Sequence, residues 1–402
     1  MATHVRHPIL IAAAARRPGA WTFGALYFLE SLARASLVTV LPLTAYALLG
    51  GKEAVSLAYT GVALAALGFT FAIPALVRRL SRRWAYTLGC GLLGLFAVLL
   101  ALDTQPALVA AMLCRTAGAA LLNVTLSLYI MDNIDRRDLT HSEPLRLALA
   151  TLAWGIAPYA GVRLLEVFGL WAPAMLSLGA VAALVLVFWV LRLSEGGPIR
   201  AAGALPGPAH PLAAVRRFAA QPRLRLAWGI AFARSSFWVT FLVYVPILIV
   251  EGGFDAAMGG LAAAAGNLML FNNVFARGLV ERLSLRRVLA AAFLAAAALT
   301  LAAAVLSPRL PALAAAVMVG AAFFAALIDG LGPVPFLRAV RARERATMTA
   351  VYRTYLDGSE LLPPLAYFFL FQIGGFAAAF TGLAALLAGI GWLTLRHLPR
   401  GM

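Results

Sequence analysis

Apolar stretches of about twenty residues recur along the whole of this chain. A helix of that length crosses a hydrocarbon core about 30 Å thick. Twelve such spans are expected, near residues 20–49, 54–77, 84–102, 106–131, 145–166, 169–193, 226–250, 256–276, 288–306, 311–332, 347–372 and 374–395. Spans one, four and eleven are long enough to tilt or to run past the core. Only 12% of the residues are charged, about half the share of an ordinary soluble domain. The expected fold class is an all-α membrane protein.

The two ends of the chain repeat one another. Leu76-Val-Arg-Arg-Leu-Ser-Arg-Arg83 returns as Leu279-Val-Glu-Arg-Leu-Ser-Leu-Arg286, six identities in eight at an offset of 203. Ala33-Arg-Ala-Ser36 returns as Ala233-Arg-Ser-Ser236 at an offset of 200, and each copy is followed by a proline (Pro42, Pro246) and a glycine pair (Gly50-Gly51, Gly252-Gly253). Four features in one order at nearly one offset imply a duplication, the way many transporters are built.

The formal charge of +17 raises nucleic-acid binding, and its distribution excludes it. Arginines fill every second connection: Arg16/Arg17, the group Arg78 to Arg83, Arg136/Arg137/Arg146, Arg216 to Arg225, Arg282 to Arg287, Arg338 to Arg345, and Arg396/Arg400. The alternate connections hold little more than Lys52 with Glu53, Asp103, Glu251 with Asp255, and Arg309. That is the positive-inside pattern. It predicts a multi-pass protein of a bacterial-type inner membrane with both termini and the central loop in the cytoplasm. Cys90 and Cys114 both fall inside apolar spans, so no disulfide framework or metal spacing is implied. Residues 1–19 carry no cleavable signal pattern, so the first span reads as a retained helix.

A Gly-, Ala- and Pro-rich stretch at 194–222 reads as a linker. It divides the chain into a first six-helix bundle (1–193) and a second (223–402). Asp132–Pro144 reads as a turn or short surface helix. Glycines and prolines inside spans (Gly155, Pro158, Gly161, Pro363, Pro364) are read mainly as packing devices.

Twelve helices, two related halves, a central linker and Arg-rich 2–3 and 8–9 loops together resemble the major facilitator superfamily over essentially the whole chain. The resemblance implies two pseudo-symmetric six-helix bundles and alternating access about a site between them. Where that family's 2–3 loop reads roughly Gly-x-x-x-Asp-Arg-x-Gly-Arg-Arg, this chain has Pro74-Ala-Leu-Val-Arg78-Arg79-Leu-Ser81-Arg82-Arg83. The basic positions match and the acidic one is Arg78. The second copy keeps an acid, Glu281, before Arg282, so the resemblance puts the acidic gating role there, with Arg78, Arg79, Arg82 and Arg83 as the basic side. Gly155-Ile-Ala-Pro158-Tyr-Ala-Gly161 looks like a degraded form of the fifth-helix motif of proton-driven drug exporters.

Ionisable groups deep in a bilayer are costly and mark function by default. Glu30 lies nine residues into span one, about 13 Å deep at helical rise, with Arg34 one turn later. Arg234 in span seven is the repeat mate of Arg34. In facilitator-type folds spans one and seven line the cavity, so the two guanidiniums are expected to converge on an acidic ligand group. The arrangement is similar to that of organophosphate–phosphate antiporters. Arg353, Asp357 and Glu360 follow at i, i+4 and i+7 in span eleven. Their surplus carboxylate is hard to keep ionised in a dry site, which is what proton coupling needs. Trp154, Tyr159, Trp238 and Tyr244 are candidate cavity walls. Arg115, the pair Arg163/Glu166, and Asp329 as a partner of Arg338 or Arg353, are secondary candidates.

The expected function is secondary active transport of a small organic solute, anionic in character and moved with protons. The rivals are a drug or metabolite exporter and a non-transporting assembly factor for a membrane complex. An enzyme is not expected, since no nucleophile–base or metal-ligand constellation stands out. The chain's one lysine, Lys52, falls in an outer loop, so a nucleotide-binding loop is excluded and ATP drive is not expected. The expected partners are the solute, protons and the lipid bilayer, with no nucleic acid, cofactor or metal, and the chain is expected to act as a monomer.

Overall fold

The computed structural model describes residues 20–80, 82–133, 139–190, 211–341 and 344–399. These are almost wholly helical: α1 (Ala20–Ala35), α2 (Val40–Leu49), α3 (Lys52–Arg79), α4 (Arg82–Ala101), α5 (Gln105–Asn133), α6 (Leu139–Phe168) and α7 (Trp171–Val190) form the first half. A short α8 (Pro211–Ala219) precedes α9 (Pro222–Glu251), α10 (Ala256–Leu268), a 3₁₀ turn (Met269–Asn272), α11 (Asn273–Leu283), α12 (Leu285–Leu306), α13 (Pro311–Leu331), α14 (Val334–Ala339) and α15 (Arg345–His397). The described parts of all twelve expected spans are helical, apart from the turn at 36–39, the 3₁₀ turn in span eight and the end residues 102, 169, 170 and 332.

Among the described residues nine helices are long and apolar enough to cross a membrane. The last of them, Thr347–His397, covers two expected spans, which bend apart at Gly374 and Gly375. Gly375 has φ 56°, a backbone that a side chain would strain. The helices at spans two and eight fall outside that criterion. Span eight is interrupted by its 3₁₀ turn, and span one breaks at residues 36–39 between α1 and α2. The break has a packing partner: Gly161 of α6 lies so close to the Ser36 carbonyl that any Cβ there would run into it.

Two local expectations change. Residues 132–133 end α5 and 139–144 begin α6, in place of a separate turn or short surface helix, while 134–138 lie outside the described residues. The linker is described only from Pro211, and it contains a helix. Phe218 of α8 is buried with Leu224, Phe336, Met348 and Tyr352 of the second half, and Arg217 pairs with Glu344. An apolar face with one ion pair docks this segment where Ala-Gly-Pro composition suggested only a spacer.

Within the first half α1 packs on α6 and α7, and α4 on α5; within the second α12 packs on α13 and α15, and α9 on α15. The halves meet along α3 with α15 and α6 with α10. At the second seam Gly260 sits against the backbone at Pro158 and Tyr159, where an added Cβ would approach to 3.0 and 3.1 Å. Small residues permit that approach where lipid supplies no hydrophobic drive between helices. Polar contacts tie the halves at one end. Lys52 pairs with Glu251, Ser56 Oγ and the Tyr244 hydroxyl lie 2.9 Å apart, and the Ala257 amide donates to Glu166 Oε1 at 2.6 Å.

Candidate functional site: a charged cavity between the halves

A cavity of about 200 Å³ lies between the two halves. The first half supplies Arg34, Tyr59, Arg115 and Trp154 to its wall, and the second supplies Ser235, Trp238 and Glu360. Each comes from a different apolar helix, except that α9 gives both Ser235 and Trp238. A larger cavity of about 260 Å³ sits by Lys52, Glu251 and Phe376. The deep-lying charges converge on the central one, which is therefore the candidate site.

Arg34 reaches the wall from α1, with its Nη1 3.2 Å from Glu30 Oε1 one turn earlier. Glu30 itself is fully buried behind it, so it neutralises the arginine without lining the space. The Arg34 guanidinium lies 6.0 Å from the centre of the Trp154 ring, within range of a cation–π attraction. Arg115 comes from α5. Its buried Nε has no hydrogen-bond partner, and it joins no ion pair among the described residues. Glu360 faces the cavity from α15, exposed and likewise outside any ion pair among the described residues. Tyr59 of α3 is within electrostatic range of both Arg115 and Glu360.

Arg234 does not line this cavity. Its guanidinium is taken up inside the second half by Asp329 of α13 and, at 3.1 Å, by the Tyr355 hydroxyl. The expected convergence of Arg34 and Arg234 is therefore not formed, because a carboxylate in the next helix captures the second arginine. Asp329 also accepts from the Trp238 indole at 2.6 Å, so it pairs with neither Arg338 nor Arg353. Through that bond the Arg234–Asp329 pair fixes one aromatic wall of the site.

In span eleven the expected triad is not bonded together. Arg353 is exposed and forms no ion pair with Asp357 or Glu360; Asp357 is half-buried next to Glu360 but does not line the cavity. Tyr244 is fully buried at the tied end between Ser56 and Tyr367, so it seals the seam and does not touch the cavity. Tyr159 is 41% exposed and also off the wall. Of the gating residues, the side chains of Arg78, Arg79 and Arg82 lie outside the described residues. Arg83 stacks over Trp189 at 5.2 Å, and Glu281 and Arg282 are exposed on the last turn of α11. Arg163 and Glu166 pair at 2.8 Å as expected.

Arg115 is the residue that sequence reasoning undervalued. Its signal was present: a mid-span arginine with no acid within four residues on either side must find its counter-charge elsewhere.

A family model described as Major Facilitator Superfamily matches residues 23–359. No curated protein matches the sequence. Solved structures match along nearly their full length. A POT family transporter in complex with 5-aminolevulinic acid superposes with TM-score 0.76 at 12% identity, over 96% of this chain and 98% of that one. A mutant of the nucleoside transporter NupG gives 0.74 at 13%, over 94% and 100%. A bacterial homologue of the iron transporter ferroportin, in its inward-facing state, gives 0.71 at 13%, over 94% and 98%. At such identities the likeness is one of fold.

Proposed function

The chain belongs to the Major Facilitator Superfamily, and from that premise we propose that it carries a small organic solute with an acidic group across a bacterial inner membrane, driven by protons. The observation that carries this reading is the cavity shared by both halves. One wall presents Arg34 and Arg115, and the opposite half presents Glu360. A guanidinium is a rigid fork of donors matched to carboxylate or phosphate. Glu360 is exposed to the cavity here, and the proposed proton step belongs to the closed state, in which a carboxylate loses its water. Alternating access follows from two halves tied at one end by contacts that can break.

The size of the cavity favours a small cargo. At about 200 Å³ it falls below the range of roughly 300–1,000 Å³ that drug-sized ligands occupy. The exporter alternative leaned on Gly155 and Gly161, and both have packing roles: Leu268 abuts the first and the Ser36 carbonyl the second. The non-transporting alternative gives no reason for Arg115 and Glu360 to face one cavity between the halves with no ion-pair partner among the described residues.

The test is accumulation in proteoliposomes of radiolabelled vitamins, organic anions and phosphorylated solutes, with and without a proton gradient. At least one anionic solute should accumulate only with the gradient. In Glu360→Gln, which keeps volume and hydrogen bonding, accumulation should collapse while exchange of labelled for unlabelled solute persists. Gradient-driven accumulation that survives in Glu360→Gln removes the coupling role of this residue.

A further inference from the structure

Resting on the transporter reading above, we infer that the body of the acidic solute is a single aromatic ring, held between Trp154 of the first half and Trp238 of the second. The substrate class is then a small aromatic monocarboxylate, as distinct from a sugar acid or a phosphorylated sugar.

The cavity wall carries three charged groups, Arg34, Arg115 and Glu360. Most of the remainder is hydrocarbon. Val38, Leu41 and Val62 come from the first half and Leu242 and Val243 from the second, with one tryptophan on each side. Three of the neutral hydrogen-bonding groups on the wall already have partners. Thr116 Oγ1 donates to the Met112 carbonyl at 3.0 Å, Ser235 Oγ accepts from Ser359 at 2.7 Å, and the Trp238 indole N–H is taken by Asp329. A sugar acid would bring several hydroxyls into this space, and each one left without a partner weakens binding. A hydrocarbon body brings none.

The volume sets the size of that body. An apolar cavity of about 150 Å³ takes one benzene ring. This one, at about 200 Å³, takes a ring with a carboxyl group and is too small for a second ring.

The two tryptophans favour an aromatic ring over a saturated one. Trp238 is fixed before any ligand arrives. Asp329 accepts from its indole at 2.6 Å, Arg234 holds Asp329, and Phe237 and Phe241 meet its ring in T-shaped contacts at 5.7 and 5.9 Å. A wall already held in place has no rotamer freedom left to lose on binding. Aromatic pairs attract one another beyond the area they bury, so a flat π-system gains from both walls what a saturated ring of equal size does not. The acid carried on such a ring has a guanidinium at hand, because Arg34 lies 6.0 Å from the centre of the Trp154 ring.

The experiment is equilibrium binding of radiolabelled benzoate and phenylacetate to the purified full-length protein. Cyclohexanecarboxylate, gluconate and glucose 6-phosphate serve as competitors, and accumulation of all five compounds is measured in proteoliposomes with a proton gradient of either orientation. At least one ring acid should bind, about tenfold more tightly than cyclohexanecarboxylate, and gluconate and glucose 6-phosphate should not displace it. Trp154→Leu and Trp238→Leu should each cut that aromatic preference at least about threefold, while Trp238→Phe keeps most of it. The preference is a ratio read within one variant, so a lower yield of folded protein does not change it. Absence of binding by both aromatic acids, equal affinity for the saturated ring, or a preference unchanged in both leucine variants overturns the inference and leaves the transporter reading intact. So does accumulation of gluconate or glucose 6-phosphate without either aromatic acid. Failure of all five to accumulate in either orientation of the gradient overturns both.

Discussion

Replacing Glu251 with Gln should loosen the end of the molecule where the halves are tied. Lys52, the first residue of α3, pairs across the seam with Glu251 at the end of α9. Its Nζ also lies 5.2 Å from the Phe376 ring and 5.9 Å from Phe371. The side chains are 15% and 34% exposed, so the pair is neither fully hydrated nor dry. Exposed pairs contribute about 0.2–1 kcal/mol, and partial burial puts this one near the top of that range. The aromatic contacts survive in Glu251→Gln, so the closed arrangement should lose about 1 kcal/mol, or about fivefold in the open population. Lys52 is the only lysine of the chain, which makes it its own reporter. The purified protein is exposed to an amine-reactive ester, and labelling of the Lys52 peptide is followed by mass spectrometry apart from the N-terminal amine. The labelling rate should rise about fivefold in Glu251→Gln and further in Glu251→Gln/Phe376→Leu. A rate within twofold of the parent in both would mean that Lys52 does not act as a latch.

Asp329→Asn leaves Arg234 without its counter-charge, and one-sided removal of a buried pair typically costs about 3–5 kcal/mol. With both side chains 17% exposed, the lower end is expected, read as a clear fall in thermal midpoint in detergent that Arg234→Met/Asp329→Leu partly restores. Gly161→Ala drives a methyl group into the Ser36 carbonyl and should lower folded yield, whereas Gly278→Ala, with nothing within 4 Å, should be neutral or gain up to about 1 kcal/mol; equal behaviour of the two would discount the close approach of α6 to the 36–39 break. Reporter fusions at Met402 and Gly203 should both read cytoplasm, because the arginine excess falls in those connections; a periplasmic signal from either would overturn the orientation.

Helix positions were legible because hydrocarbon imposes a length on every span and the apolar stretches announce it. Interruptions were not. The break at 36–39 and the 3₁₀ turn at 269–272 answer to neighbours in space, such as Gly161 against Ser36, and carry no turn signature of their own. The site was half legible for the same reason. Mid-span charges mark themselves by their cost, so Arg34, Arg115 and Glu360 could all be picked from the sequence. Which of them would be neutralised could not. The i, i+4 spacing of Glu30 and Arg34 is local and was read correctly as a pair, while that of Arg234 with Asp329 spans 95 residues. The spacing of Arg353, Asp357 and Glu360 suggested a cluster, yet Arg353 is exposed, joins no ion pair among the described residues, and only Glu360 of the three lines the cavity.

The duplication and the site divide the work between them. Arg34 and Arg234, the repeat mates, are each neutralised within their own half, one by Glu30 in the same helix and one by Asp329 in another. Each contacts or helps fix an aromatic wall: Arg34 lies near Trp154, and Arg234 holds Trp238 through Asp329. The repeated arginines thus serve the two halves alike, as internal braces behind or beside the cavity. Arg115 and Glu360 break the symmetry. They belong to spans four and eleven, which are not repeat mates, and they are of opposite sign. A cavity lined by identical charges from two identical halves would hold an anion without a reason to release it. Opposite charges on opposite halves, neither in an ion pair among the described residues, are what the proposed coupling of an anion to a proton calls for.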